Sequence, residues 1–212
     1  MPPKPKTDTE KQQLRMQIID AARTLFVTRG IEAVTMREIA KRIDYSPTSI
    51  YLHFADKEAV LRAICETDFL ALATAQKVIL QIKNPVEKLL TLCKSYAAFA
   101  LQYPNHYRLM FMTPHLPHDP RVIALEQNHP EQDAYFQLKS VVEESFLIGM
   151  FRSSLNDPEL ITQTIWAGMH GVCALEITMA QDCWVNWRDI SQRLQLMQET
   201  LIRGLLKEEK AK

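Results

Sequence analysis

Apolar residues recur at intervals of three and four along almost the whole chain, and no stretch sustains the strict alternation that marks a half-buried strand. The pattern predicts an all-α protein of about nine helices. The first covers about residues 7–28 and carries Leu14, Ile18, Ala21, Ala22, Leu25 and Phe26 on one face. Gly30 follows, the residue type best suited to close a helix in a left-handed conformation. Thr35-Met36-Arg37-Glu38 is a capping box, in which Thr35 and Glu38 each satisfy an orphan backbone donor; it opens a short helix holding Ile39, Ala40 and Ile43. Beyond Asp44-Tyr45, Ser46 caps another short helix with Pro47 in its first position, where a missing N–H costs nothing, ending near His53-Phe54. Asp56 then caps a long helix over about 57–81.

The remaining starts are equally well signed. Asn84-Pro85-Val86-Glu87 opens a helix to about 103, and Pro104 a short one to 112. Residues 113–120 hold three prolines and read as a loop. A helix over about 130–151 follows. Asp157-Pro158-Glu159 starts the next, to about 181, and the last covers about 187–207. No internal repeat is visible.

Two short helices joined by a tight turn and braced by a longer one in front form the geometry of a helix-turn-helix. The second helix of such a unit has to be short, polar on its outer face and free to enter a major groove. Ile50 and Phe54 are spaced to pack inward, leaving Thr48, Ser49, Tyr51 and His53 to face outward. Asp44 stands where the turn wants a positive φ, which aspartate tolerates far better than a β-branched residue.

At these residues the chain resembles the TetR family of bacterial repressors. The matching run is Ile18-Ile19-Asp20-Ala21-Ala22-Arg23-Thr24-Leu25-Phe26, then Gly30, then Thr35 to Ala40, then Ser46 to Phe54, then Lys57-Glu58-Ala59-Val60-Leu61, about 45 residues with no gap. The family usually places glycine and valine in the turn where Asp44-Tyr45 stand. A second likeness lies further on. Residues 96–99, Pro104 to Phe111 and Trp166-Ala167-Gly168-Met169-His170-Gly171 are similar to the regulatory domain of a subgroup named for a tryptophan-histidine-glycine motif, here interrupted by Met169.

The resemblance implies a DNA-binding domain over 1–56, with the helix-turn-helix at about 35–54, and a helical effector-binding and dimerisation domain over 57–212. It places Thr35 and its helix start against a phosphate, Arg37 at a guanine edge, and Pro47, Thr48 and Ser49 against bases beside the cap Ser46. Tyr51, His53 and Lys57 are then expected to hold the DNA backbone and set register. It also implies a homodimer, joined by the last two long helices in a four-helix bundle. Ala167, Gly171, Ala174, Leu194, Met197, Leu201 and Leu205 are the candidates, with Gly168 adding room for close approach. A two-fold dimer calls for a palindromic operator in double-stranded DNA. An effector cavity, largely apolar with a few polar handles, is expected among Tyr96, Phe99, Tyr103, Tyr107, Phe111, Phe136, Phe146, Trp166 and His170. No cofactor is implied. The expected activity is repression relieved by a small-molecule effector.

Composition changes this picture little. The formal net charge is zero, from 25 Lys and Arg against 25 Asp and Glu. Its distribution is uneven: residues 1–62 carry 11 basic against 8 acidic side chains, and the rest 14 against 17. A mildly basic front and a mildly acidic body suit a protein that meets phosphate with one end. The first residues, Met1-Pro2-Pro3-Lys4-Pro5-Lys6, lack the apolar core of a secretory signal, and Gln163, His170 and Glu176 interrupt the least polar stretch, so a cytoplasmic location is expected. Cys65, Cys93, Cys173 and Cys183 occur singly, which favours reduced thiols over zinc or disulfides. His115-Leu116-Pro117-His118-Asp119 offers metal-ligating types, but proline-rich surroundings favour an ordinary loop. No phosphate loop, GxSxG or HExxH occurs, so an enzyme is not expected. The alternative to a regulator is an all-helical adaptor without DNA binding, against which the polar outer face of the 47–53 helix argues.

Overall fold

The computed structural model describes residues 7–113 and 133–207. Among these the chain forms nine α-helices: α1 Asp8–Arg29, α2 Met36–Arg42, α3 Pro47–Tyr51, α4 Lys57–Gln76, α5 Pro85–Gln102, α6 Pro104–Phe111, α7 Ala134–Leu147, α8 Pro158–Met179 and α9 Ile190–Leu205. The predicted proline-rich loop and its His115, His118 and Asp119 lie outside the described residues, as does the helix start expected near 130.

The helix ends follow from local capping. Thr7 forms a capping box with Glu10, a start signal the pattern alone did not disclose. Thr35 and Glu38 form the predicted box on α2, and the Ser46 hydroxyl accepts from Ser49 N–H at 3.2 Å ahead of Pro47. Asp56, Asn84, Asp133, Asp157 and Asp189 each accept backbone N–H groups at the starts of α4, α5, α7, α8 and α9. Asp189 fixes the last helix three residues later than expected. The helix predicted over 57–81 stops at Gln76 and tightens into a 3-10 turn over Lys77–Gln81. Gly30 also departs from expectation: its φ of 80° is positive, but its ψ of 151° is extended rather than left-handed helical. That region is essentially closed to residues with a Cβ, so glycine is required there for a different reason.

The chain divides into two compact units. The first contains, of the described residues, 7–68 and 105–113; the second contains 69–104 and 133–207. This division is not the boundary expected at residue 56. The front of α4 and α6 from Asn105 onward join the first unit, where Val60, Leu61, Ile64 and Leu109 are buried in the core with Ile18, Phe26, Ile39 and Ile50.

Buried charge reinforces that core. Arg23 on α1 and Asp68 on α4 are both nearly sealed from solvent and meet in a fork, Nη2 to Oδ1 at 2.8 Å and Nε to Oδ2 at 3.3 Å. Arg23 Nη1 also reaches Asp20 at 2.6 Å.

In the second unit α8 packs against α5, α7 and α9. Ile161, Ile165, Met169 and Cys173 form its buried face, and Val141, Val142 and Ile202 come from α7 and α9. At Gly168 a Cβ would stand 2.5 Å from Leu201 Cδ1, so the glycine lets α8 and α9 of one chain approach closely. A short antiparallel bridge between Phe151 and Leu206 ties the segment before α8 to the end of α9. Among the described residues no helix is long and apolar enough to cross a membrane.

Two outcomes follow. Ile50→Ala empties a fully buried site beneath α3 and is expected to cost about 3 kcal/mol in urea denaturation. Glu38 is held down to about 2 from its ordinary 4.5, first by its hydrogen bond to Arg29 and then by those from Thr35. A depressed carboxylate stabilises above its unfolded pKa and loses that contribution as pH falls through the folded one. The urea midpoint of Glu38→Gln is therefore expected to lie below the parent's at neutral pH and to converge with it on acidification from about 4.5 to about 2.

Candidate functional site

The α2–turn–α3 segment is assembled by a few strict local requirements. Ile43 caps the end of α2, and the chain reverses through Asp44, whose φ of 56° makes it the one non-glycine residue with positive φ among those described. Tyr45 N–H returns to the Ala40 carbonyl at 3.0 Å, closing the turn. α3 then runs for five residues, shorter than the 47–53 expected, and continues as a turn in which His53 and Phe54 N–H both donate to the Ile50 carbonyl. Ile50 and Phe54 are buried, as their spacing predicts, and the Arg15 guanidinium lies 4.4 Å from the Phe54 ring centroid.

What remains outside is the face available to a partner. Pro47 and Thr48 are exposed, Tyr51 is 53% exposed, and Ser49 is half-buried, its hydroxyl 2.9 Å from that of Ser46. An exposure of this size does not suit a tyrosine that merely packs on the following helix. His53 is half-buried. Leu52, 82% exposed, belongs to the same surface and was not anticipated; lying two residues from the inward Ile50, it is turned away from the core.

Charge around this face is partly committed. Thr35 Oγ1 accepts from Glu38 N–H and donates to Glu38 Oε2, so its hydroxyl serves the cap. Arg29 pairs with Glu38 at 2.7 Å. Lys57 donates to the Ile31 carbonyl at 2.8 Å and lies 3.5 Å from Glu32, which anchors the start of α4 to the loop after α1. Arg37, Lys41 and Arg42 on α2 are exposed.

A second cluster lies within the other unit. Trp166 Nε1–H donates to Tyr96 Oη at 3.2 Å, and that oxygen lies 3.1 Å from His170 Nδ1. Tyr96 Oη accepts from the indole and can donate its own proton to a neutral His170 ring whose Nδ1 is unprotonated. Burial pushes the imidazole below its ordinary 6.5 and so favours the neutral ring that accepts it. Tyr135, not singled out by the sequence, stacks edge-on to Trp166 at 5.5 Å and donates its hydroxyl to Glu159, which Lys139 also holds at 2.7 Å. Burial, and then Glu159, push the Tyr135 phenol up to about 12.

Of the nine residues expected at a cavity, Tyr96, Trp166 and His170 are thus brought together. Phe99 is buried, 5.5 Å from the exposed Tyr103 ring, and Phe136 and Phe146 are half-buried on α7. Tyr107 and Phe111 belong to the first unit, where Tyr107 is fully buried and the two rings lie 4.8 Å apart. Among the candidate dimer residues, Ala167 is exposed and Gly171, Ala174, Leu194 and Met197 are half-buried. Leu201 packs on Gly168 of its own chain, and Leu205 is buried within that chain. Leu160, Leu175 and Leu196 are exposed apolar residues on the same two helices. Among the described residues no three His, Cys, Asp or Glu side chains converge as a metal would require.

Comparison with known proteins agrees with this arrangement. Residues 18–64 match the family described as bacterial regulatory proteins, tetR family, and residues 89–185 match the tetracyclin repressor-like C-terminal domain. The transcriptional regulator UidR of Escherichia coli is 33% identical over 79 residues, 37% of this chain and 37% of that protein. The transcriptional repressor KstR2 of Rhodococcus jostii is 40% identical over 65 residues, 30% of this chain and 32% of its own. The chain therefore aligns with only about a third of the length of these relatives. Solved structures share the fold over nearly the whole chain. A Rhodococcus protein of unknown function superposes with a TM-score of 0.72 at 21% identity, covering 92% of this chain and 96% of that one. The fatty acid degradation regulator FadR from Bacillus halodurans gives 0.69 at 20% identity, over 94% and 97%. The SmeT–triclosan complex gives 0.69 at 18%, over 93% of each. With one family match covering the helix-turn-helix and another covering most of the second unit, the chain belongs to the TetR family of bacterial regulatory proteins.

Proposed function

We propose that this protein is a DNA-binding transcriptional regulator that acts as a homodimer on a palindromic operator and represses until a small-molecule effector releases it. The observation that carries the reading is α3 itself: a short helix pinned by Ile50 and Phe54 whose outer face exposes Thr48, Tyr51 and Leu52. In a major groove the small and apolar groups of Pro47, Thr48, Ser49 and Leu52 suit base edges and thymine methyls, and Arg37 suits a guanine. Tyr51, His53 and the start of α2 at Thr35 suit phosphates, fixing register without reading sequence. Lys57, tied to Ile31, adds charge at the rim rather than a base contact.

Dimerisation is supported by the outer stripe of α8, where Ala167 is exposed beside Gly171, Ala174 and the exposed Leu175. Small residues allow close helix approach, and Leu194 and Met197 on α9 are half-covered by the protomer alone. Repression is supported by the likeness to KstR2, a transcriptional repressor. For the effector, the Tyr96–Trp166–His170 cluster supplies uncharged hydrogen-bonding handles among aromatic rings, which suits a largely apolar molecule. The complex of the similar SmeT with triclosan points the same way. Binding there would favour a dimer whose α3 helices are wrongly spaced for two half-sites, a population shift carried by α4.

Selection of bound duplexes from a random library with the full chain is expected to recover an inverted repeat; enrichment of no sequence would refute the reading. On the selected duplex, Tyr51→Ala is expected to weaken binding about tenfold while leaving the melting temperature unchanged, because an exposed side chain contributes little to folding. Ala167→Glu is expected to shift the protein from dimer to monomer in sedimentation velocity and to abolish tight binding.

A further inference from the structure

Asp68 receives a third contact beyond the Arg23 fork. His106, on the first turn of α6, places Nδ1 3.0 Å from Asp68 Oδ1, the same oxygen that Arg23 Nη2 engages. The three residues come from α1, α4 and α6, and all lie in the first unit. Their positions along the chain are informative. Asp68 is the last residue of this unit's first segment, and His106 is the second residue of the segment by which the chain returns to it. The cluster therefore joins the points where the chain leaves and re-enters the unit that holds α2 and α3, and it ties both to α1.

The contacts are unequal. Arg23 and Asp68 are almost completely buried, and separating them would strand an uncompensated charge, so that pair is permanent in the folded protein. The His106 side chain is 29% exposed and shares an oxygen that is already satisfied. Breaking its contact leaves the Arg23 fork intact and no orphaned charge in the core. Further along α6, Leu109 and Met110 are held by burial of apolar side chains rather than by a charged contact.

We propose that His106 is a positioning residue, the releasable member of a latch whose fixed part is the Arg23–Asp68 pair. Closed, the latch holds α6 and α4 in register against α1 and keeps α2–α3 in the arrangement that binds DNA; opened, it lets α6 move while the core stays folded. This rests on the DNA-binding reading above and assigns a residue to the step between effector and reader. A two-state element of this kind is what coupling between separated sites requires.

The test uses the full chain with His106→Leu, which removes the contact, and His106→Asn, whose amide nitrogen can occupy the place of Nδ1. Two quantities are measured: affinity for the duplex that the parent selects, and hydrogen exchange of amides 36–54 followed by mass spectrometry. The latch predicts that His106→Leu weakens DNA binding about fivefold to tenfold and speeds exchange in α2 and α3, with a melting temperature close to the parent's. His106→Asn is expected to restore both. Parent-like affinity and exchange in His106→Leu would overturn the proposal, as would failure of His106→Asn to restore them. Should His106→Leu not fold, His106→Gln replaces it, since its longer amide does not coincide with Nδ1. If the parent selects no duplex, the regulator reading fails separately, and exchange alone then decides for or against the latch.

Discussion

A five-residue helix cannot hold itself together in water, because nucleating a helical turn fixes several dihedrals for one hydrogen bond. α3 exists only because its surroundings prescribe it, and every functional statement about this protein depends on that prescription. Ser46 and Pro47 set its first turn, Asp44 supplies the reversal before it, and Ile50 and Phe54 are driven into the core of the first unit. The burial of two side chains on one edge exposes the other edge. A helix pinned this way presents Thr48, Tyr51 and Leu52 with little rotational freedom, and a rigid element is what reading a groove demands.

The same unit contains the costliest electrostatic feature described, the buried Arg23–Asp68 fork. Such a pair adds little net stability compared with apolar packing, since desolvation offsets much of the attraction. Its geometric effect is larger. A planar guanidinium and a carboxylate meet well in one arrangement, so the fork fixes how α1 stands on α4. α3 is thereby referred to α4 and α6 through α1, which is the kind of reference the proposed regulation requires.

Much of this was legible in the sequence, for a physical reason. Caps, turns and helical periodicity are decided by residues within a few positions of one another, and Thr35 with Glu38, Asp44, Ser46 with Pro47, and Asn84 with Pro85 each carry their own instruction. What was not legible depends on partners distant in the chain. Asp68 looks like an ordinary helix-surface acid until α1 and α6 are packed around it. Tyr135 joins Trp166 only through the fold, and Leu201 and Gly168, which share helical patterns fit for a dimer seam, are used against each other within one chain. The aromatic residues of α6 were expected in one cavity with those of α5 and α8, whereas α6 from Asn105 onward belongs to the first unit, in whose core Leu109 is buried.

The central claim is that two copies of α3 enter successive major grooves on one face of a duplex. Hydroxyl-radical footprinting of the full chain on its selected duplex tests this directly. The account predicts two protected patches on one face, symmetric about a dyad and about 34–36 Å or a multiple of that apart. A single patch, or protection without two-fold symmetry, would contradict it.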